Sequence, residues 1–215
     1  NPSRLPIPSH RLIVVIIAHI FINFNRQFAF PAKTGLLDKK DDFGYNTKQE
    51  VYGRKDEWNM KNLIRAAAFA PRVTVGGVES NRAQLAAQLR EAAEQGCDLA
   101  VFPELCLTGS TAGDLFLQPL MIDCAFAALT GLAALTDTGI AAVVGLPLRL
   151  DGRLYDCAAV LQGGRLRGLV PKRRLSARER RYFTPYFDAP REIPLPDGGV
   201  CMFGDVVFDF GGGFT

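Results

Sequence analysis

Two apolar runs in this chain carry no polar interruption: Leu99-Ala100-Val101-Phe102, and Ile140 to Leu146 (IAAVVGL). A strand with one wet face alternates apolar and polar residues. An unbroken run is covered on both faces, as strands are inside layered α/β folds. Between the runs, about Pro119 to Leu135 has helical spacing and ends before Gly139. Upstream, Leu63 to Ala70 (LIRAAAFA) reads as a first strand and Pro71 to Gly77 as a loop. Asn81 is placed to cap a helix, with Gln84 three residues on as its reciprocal partner. Leu85, Leu89, Ala92 and Ala93 continue that helix, and Gly96 is its stop. Pro147 is expected to close the third strand. Leu154 to Leu161, a turn at Gly163-Gly164 and Arg165 to Val170 then form an antiparallel hairpin that ends at Pro171-Lys172. Val200 to Phe203 and Val206 to Phe210 are further strands. The order β-α-β-α-β plus a hairpin predicts an α/β sandwich rather than a purely doubly wound sheet.

This regularity starts near Met60. Residues 1–59 show no clear period beyond Leu12 to Ile22 and are expected to be an unrelated extension or a mis-assigned upstream reading frame, with residues 61–215 forming the domain. After Gly211-Gly212-Gly213 the chain reaches Thr215 without a final helix or closing strand, so the domain is expected to be cut short at its C-terminus. The apolar run Leu12 to Ile22 has eleven residues, against about 20 for a membrane span. A net charge of +3 gives no composition-level reason to expect nucleic acid or an anionic membrane. The five cysteines are an odd number, widely spaced and without a CxxC pair, and His10 and His19 are the two histidines. That argues against a zinc site and a disulfide framework, and for a reducing cytoplasm.

Two residues stand out chemically. Glu104 follows the second buried run directly, in "VFPELCLTG" (101–109), at the strand-end rim where open α/β sheets place ligands. There it can act as a general base or can cap the next backbone turn, and position alone favours the cap. Lys172 also follows a strand and a proline; fixed beside a carboxylate it could hold an oxyanion, although a surface lysine at a hairpin end is commoner. It opens a basic run with Arg173, Arg174, Arg178, Arg180 and Arg181, which reads as a solvated face. The cysteines read as small buried hydrophobes rather than nucleophiles.

Taken together, "VFPELCLTG", "GDLF" (113–116) and "GRLYDCAAVLQGGRLRGLVPK" (152–172) resemble the nitrilase superfamily of carbon–nitrogen hydrolases. More narrowly, they resemble the N-terminal glutaminase domain of glutamine-dependent NAD⁺ synthetases, over about residues 61 to 190. The resemblance implies a four-layer αββα sandwich and a Glu-Lys-Cys triad. Glu104 then matches the general base and Lys172 the oxyanion-stabilising lysine. The nucleophilic cysteine is expected beyond residue 215, because the family's Cys-Glu-Asp motif does not occur here. The 215-residue chain is therefore expected to be inactive alone. Ser110 stands where the family commonly has tyrosine, and Glu179 opens the family's E-x-R-aromatic-Phe ending; both are implied substrate contacts. Glutamine is the implied substrate, homo-oligomerisation is implied, and no metal or cofactor is implied in this domain. ATP and Mg²⁺ would belong to a C-terminal synthetase domain. A stand-alone amidase acting on another small amide, or a non-catalytic binding remnant, are the alternatives.

Overall fold

The computed structural model describes residues 65–195, 198–208 and 210. The proposed extension, residues 1–59, lies outside the described residues. Within them, seven strands form one mixed sheet: β1 (Ala66–Ala68), β2 (Leu99–Val101), β3 (Ala141–Leu150), β4 (Arg153–Gln162), β5 (Arg165–Pro171), β6 (Arg191–Pro194) and β7 (Val200–Phe203). Their spatial order is β1-β2-β3-β4-β5-β7-β6. β1, β2 and β3 run parallel, β3-β4-β5 is an antiparallel meander, and β7 pairs parallel to β5. Two helices, α1 (Val78–Glu94) and α2 (Pro119–Ala133), provide the crossovers that parallel pairing requires.

Strand period divides the core. Ala142, Val144, Leu146 and Leu148 join Leu85, Leu89, Leu129 and Leu132 of the helices in one apolar cluster. Ala141, Val143, Ala158, Val160 and Val170 face the other way and form a second. Both faces of the central strands are therefore buried, which is why their sequences do not alternate. α2 is apolar and long enough, with the 3₁₀ turn Ala134–Thr138, to cross a membrane by length and composition. Its Ile122, Ala125, Leu129 and Leu132 are instead buried in the core.

Three expectations change. Pro147 lies inside β3, opposite Asp156, rather than ending the strand. Val143 and Gly145 turn their carbonyls toward the β2 side, to Phe102 and Leu107 N–H. By the two-residue period Pro147 points its missing N–H the same way, beyond the end of β2, so β4 loses no bond. β3 then runs on into a turn with positive φ at Asp151 (49°) and Gly152 (73°), the geometry of a tight hairpin. Val206, Val207 and Phe208 do not form a strand, whereas β6 pairs with β7. Asn81 sits within the first turn of α1, which begins at Val78 after Gly77. Its buried amide accepts from Thr74 N–H (2.8 Å) and donates to the carbonyls of Thr74 (2.8 Å) and Leu107 (3.0 Å). It therefore ties the β1–α1 loop to the segment after β2 instead of capping a helix.

Candidate active site

Glu104 is presented by a tight turn. Phe102 N–H bonds to Val143 of β3, and the chain returns to β3 at Leu107, whose N–H meets Gly145 O at 3.4 Å. Between these points Leu105 takes a positive φ of 50°, a conformation disfavoured for a branched side chain. Thr108 and Gly109 N–H both bond to its carbonyl, at 3.0 and 2.7 Å. The turn lies directly on Gly145: a Cβ there would stand 2.4 Å from Leu105 N and from Pro103 O. Only a hydrogen fits at that point of β3.

Lys172 arrives from β5. Its N–H donates to Asp156 O (2.7 Å), extending the β4–β5 ladder past Pro171. The residue is 6% exposed, and its Nζ donates to Glu104 Oε1 and to Glu179 Oε1, the latter at 2.9 Å. The Glu104 carboxylate thus meets an ammonium across the site, which sets aside the capping role that position alone favoured. Glu179 starts the 3₁₀ turn Glu179–Arg181, and its second oxygen accepts Ser176 N–H at 2.7 Å. Asp156 of β4 completes the cluster: its Oδ2 lies 3.9 Å from Lys172 Nζ, beyond hydrogen-bond reach.

The charges fit one cation among several acids. Burial alone would depress Lys172, but its contacts with Glu104 and Glu179 outweigh that and leave it above its ordinary value. Burial works against the Glu179 anion, yet Lys172 and the Ser176 N–H hold it below its ordinary value. Burial, then contact with Glu104, pushes Asp156 well up.

A cleft of about 660 Å³ opens beside this cluster. Glu104, Ser110 and Glu179 are on its wall, with Arg178, Arg181 and Tyr182. Tyr182 donates to Asp114 at 2.8 Å, which closes one side. Lys172 and Asp156 sit behind the wall. Ser110 is exposed and borders the same space as Glu104, while Glu179, expected as a substrate contact, also binds Lys172. Cys97, Cys106, Cys157 and Cys201 are buried and Cys124 is exposed; none of them lines the cleft. Burial pushes the Cys106 thiol to about 12, although it contacts Gly145 O. Among the described residues no cluster of three or more His, Cys, Asp or Glu could hold a metal ion.

A model of the carbon–nitrogen hydrolase family matches residues 65–213. The chain belongs to the carbon–nitrogen hydrolase family. The chain is 36% identical over 151 residues to the glutamine-dependent NAD(+) synthetase of Mycobacterium tuberculosis (strain ATCC 25618 / H37Rv), covering 68% of this chain and 22% of that protein. It is 34% identical over 149 residues to the enzyme of the same name from Xylella fastidiosa (strain Temecula1 / ATCC 700964), covering 67% and 26%. Among solved structures, the glutamine-dependent NAD(+) synthetase from Cytophaga hutchinsonii superposes with a TM-score of 0.64 at 28% identity, over 68% of this chain and 26% of that one. An amidase from Nesterenkonia sp. superposes at 0.54 and 23% identity, over 63% and 53%, and shares the fold. The sheet with its helical layer is that of the nitrilase-like αββα sandwich. The chain thus spans about a quarter or less of the synthetases it resembles.

Of the four side chains that the structure brings together, the sequence singled out Glu104, Lys172 and Glu179 but not Asp156. The available signal was one acid inside the otherwise apolar strand Leu154 to Leu161.

Proposed function

We propose that this chain is the glutamine-amide-hydrolysing part of a longer NAD⁺ synthetase, with Glu104 as general base and Lys172 as the oxyanion cation. The carrying observation is the Glu104–Lys172–Glu179 cluster at the wall of a cleft, in a chain of this family. In this reading a cysteine beyond residue 215 gives its proton to Glu104 and its sulfur attacks the amide carbon of glutamine. The carbonyl electron pair moves to oxygen. Two Lys172 N–H groups are engaged by Glu104 and Glu179, which leaves the third for that oxyanion. Glu104 returns the proton to the nitrogen, ammonia leaves, and a thioester remains. Glu104 then takes a proton from water, hydroxide displaces the thiolate, and glutamate is released as the thiol regains its proton.

The ammonia would pass to a synthetase domain of the same polypeptide, where ATP and Mg²⁺ serve the amidation of nicotinic acid adenine dinucleotide. A homo-oligomer in the cytoplasm belongs to the same reading. The exposed Ser110 on the cleft wall supports a second reading, an amidase for another small amide. A substrate panel separates the two: the polypeptide carrying this chain and its cysteine should release ammonia fastest from glutamine. A preference for simple aliphatic amides overturns the first reading and favours the second. The 215-residue chain alone should release no glutamate.

A further inference from the structure

Asp156 is 3% exposed, and its Oδ2 is one of the buried side-chain oxygens without a hydrogen-bond partner among the described residues. The titratable groups that face it are Glu104 after β2, Lys172 after β5 and Glu179 of the 3₁₀ turn. Its Oδ2 stays 3.9 Å from Lys172 Nζ, the same ammonium that donates to Glu104 and Glu179, so three carboxyls share the surroundings of one cation. Ionised carboxylates crowded around one cation repel each other; a neighbouring pair attracts when one of the two carries a proton. Three ionised acids around one ammonium would also leave two uncompensated negative charges in a largely buried cluster. Glu104 and Glu179 each hold a short contact to Lys172, and Asp156 does not. The proton therefore belongs on Asp156, in line with the upward push that burial and Glu104 give it.

We propose that Asp156 is a positioning residue of this site: a neutral carboxylic acid that donates its O–H to the Glu104 carboxylate and so holds Glu104 against Lys172. Its backbone carbonyl already fixes the Lys172 N–H, so one residue of β4 sets both members of the pair. That this pair serves amide hydrolysis rests on the function proposed above; the positioning itself needs no turnover.

The test is carbon-13 NMR of the chain labelled at aspartate carboxyls. Asp156 should keep the shift of a protonated acid at pH 7, where exposed aspartates titrate near about 4. Titration of Asp156 along with the exposed aspartates overturns the proposal. The second measurement is the Lys172 ammonium signal, which is visible when its N–H groups are held out of exchange with water. Asp156→Asn retains a donor and should keep that signal, whereas Asp156→Leu should lose it. Loss in the Asn variant means that negative charge is what matters; retention in the Leu variant means Asp156 positions nothing. Either result overturns the proposal. Should the Leu variant not fold, the wild-type titration and the Asn variant decide. Failure to hydrolyse glutamine would sink the proposed function while leaving these readings intact.

Discussion

The chain leaves β2 and β5 by differently built ends. After β2, Glu104 is fixed by shape: a positive-φ Leu105, paired turn hydrogen bonds, and a backbone lying on Gly145 where no Cβ fits. After β5, Lys172 extends the strand ladder without a special backbone, and charge fixes its side chain through Glu104 and Glu179. One side of the pair should therefore break with volume, the other with charge and pH.

The largest effect is expected at the charge-held end. Lys172→Met leaves Glu104 and Glu179 facing each other in a largely buried cluster, a loss of about 3–5 kcal/mol by the usual cost of removing one partner from a buried pair. Urea unfolding at pH 7 measures it, and the deficit should shrink toward pH 4 as the carboxylates take up protons. At the shape-held end, Gly145→Ala should cost about 1–3 kcal/mol, the range for overpacking a closed site. That loss should be the same at pH 5 and pH 8, and the turn should move, lengthening the Glu104–Lys172 contact in a crystal structure.

Asp156→Asn sharpens the contrast through its sign. A carboxyl with a raised folded-state value contributes stability that is full below its ordinary 3.8 and is lost as pH rises toward the folded value. The variant should match wild type near pH 4 and melt at a higher temperature at pH 8. Glu179→Gln should be the mildest, about 1 kcal/mol for one weakened charge-assisted bond at a partly open position. Because Glu179 is held below its ordinary 4.5, its contribution is present above that value and fades as pH falls through the lower folded one. The two proteins should converge in acid.

These ends were not equally legible in the sequence. The apolar runs gave the buried strands because burial on both faces leaves a simple pattern, and "VPK" marked Lys172 at a strand end. The β3–β4 hairpin was hidden by Pro147, since a proline's tolerance in a strand depends on which side its nitrogen faces. Asn81 looked like a cap because capping chemistry and loop-tying chemistry use the same amide. The need for glycine at 145 is tertiary, set by a turn some 40 residues upstream, and nothing local announces it. Asp156 sat in view as one acid in an apolar strand, but its partners come from three other segments.

The central claim is that the acid after β2 serves a thiol and an amide. Glu104→Gln in the full polypeptide tests it most directly, with NAD⁺ formation followed from glutamine and, separately, from added ammonia. Ammonia production from glutamine should be abolished while synthesis from free ammonia continues. Undiminished glutamine-dependent synthesis, or loss of both activities together, would contradict the account.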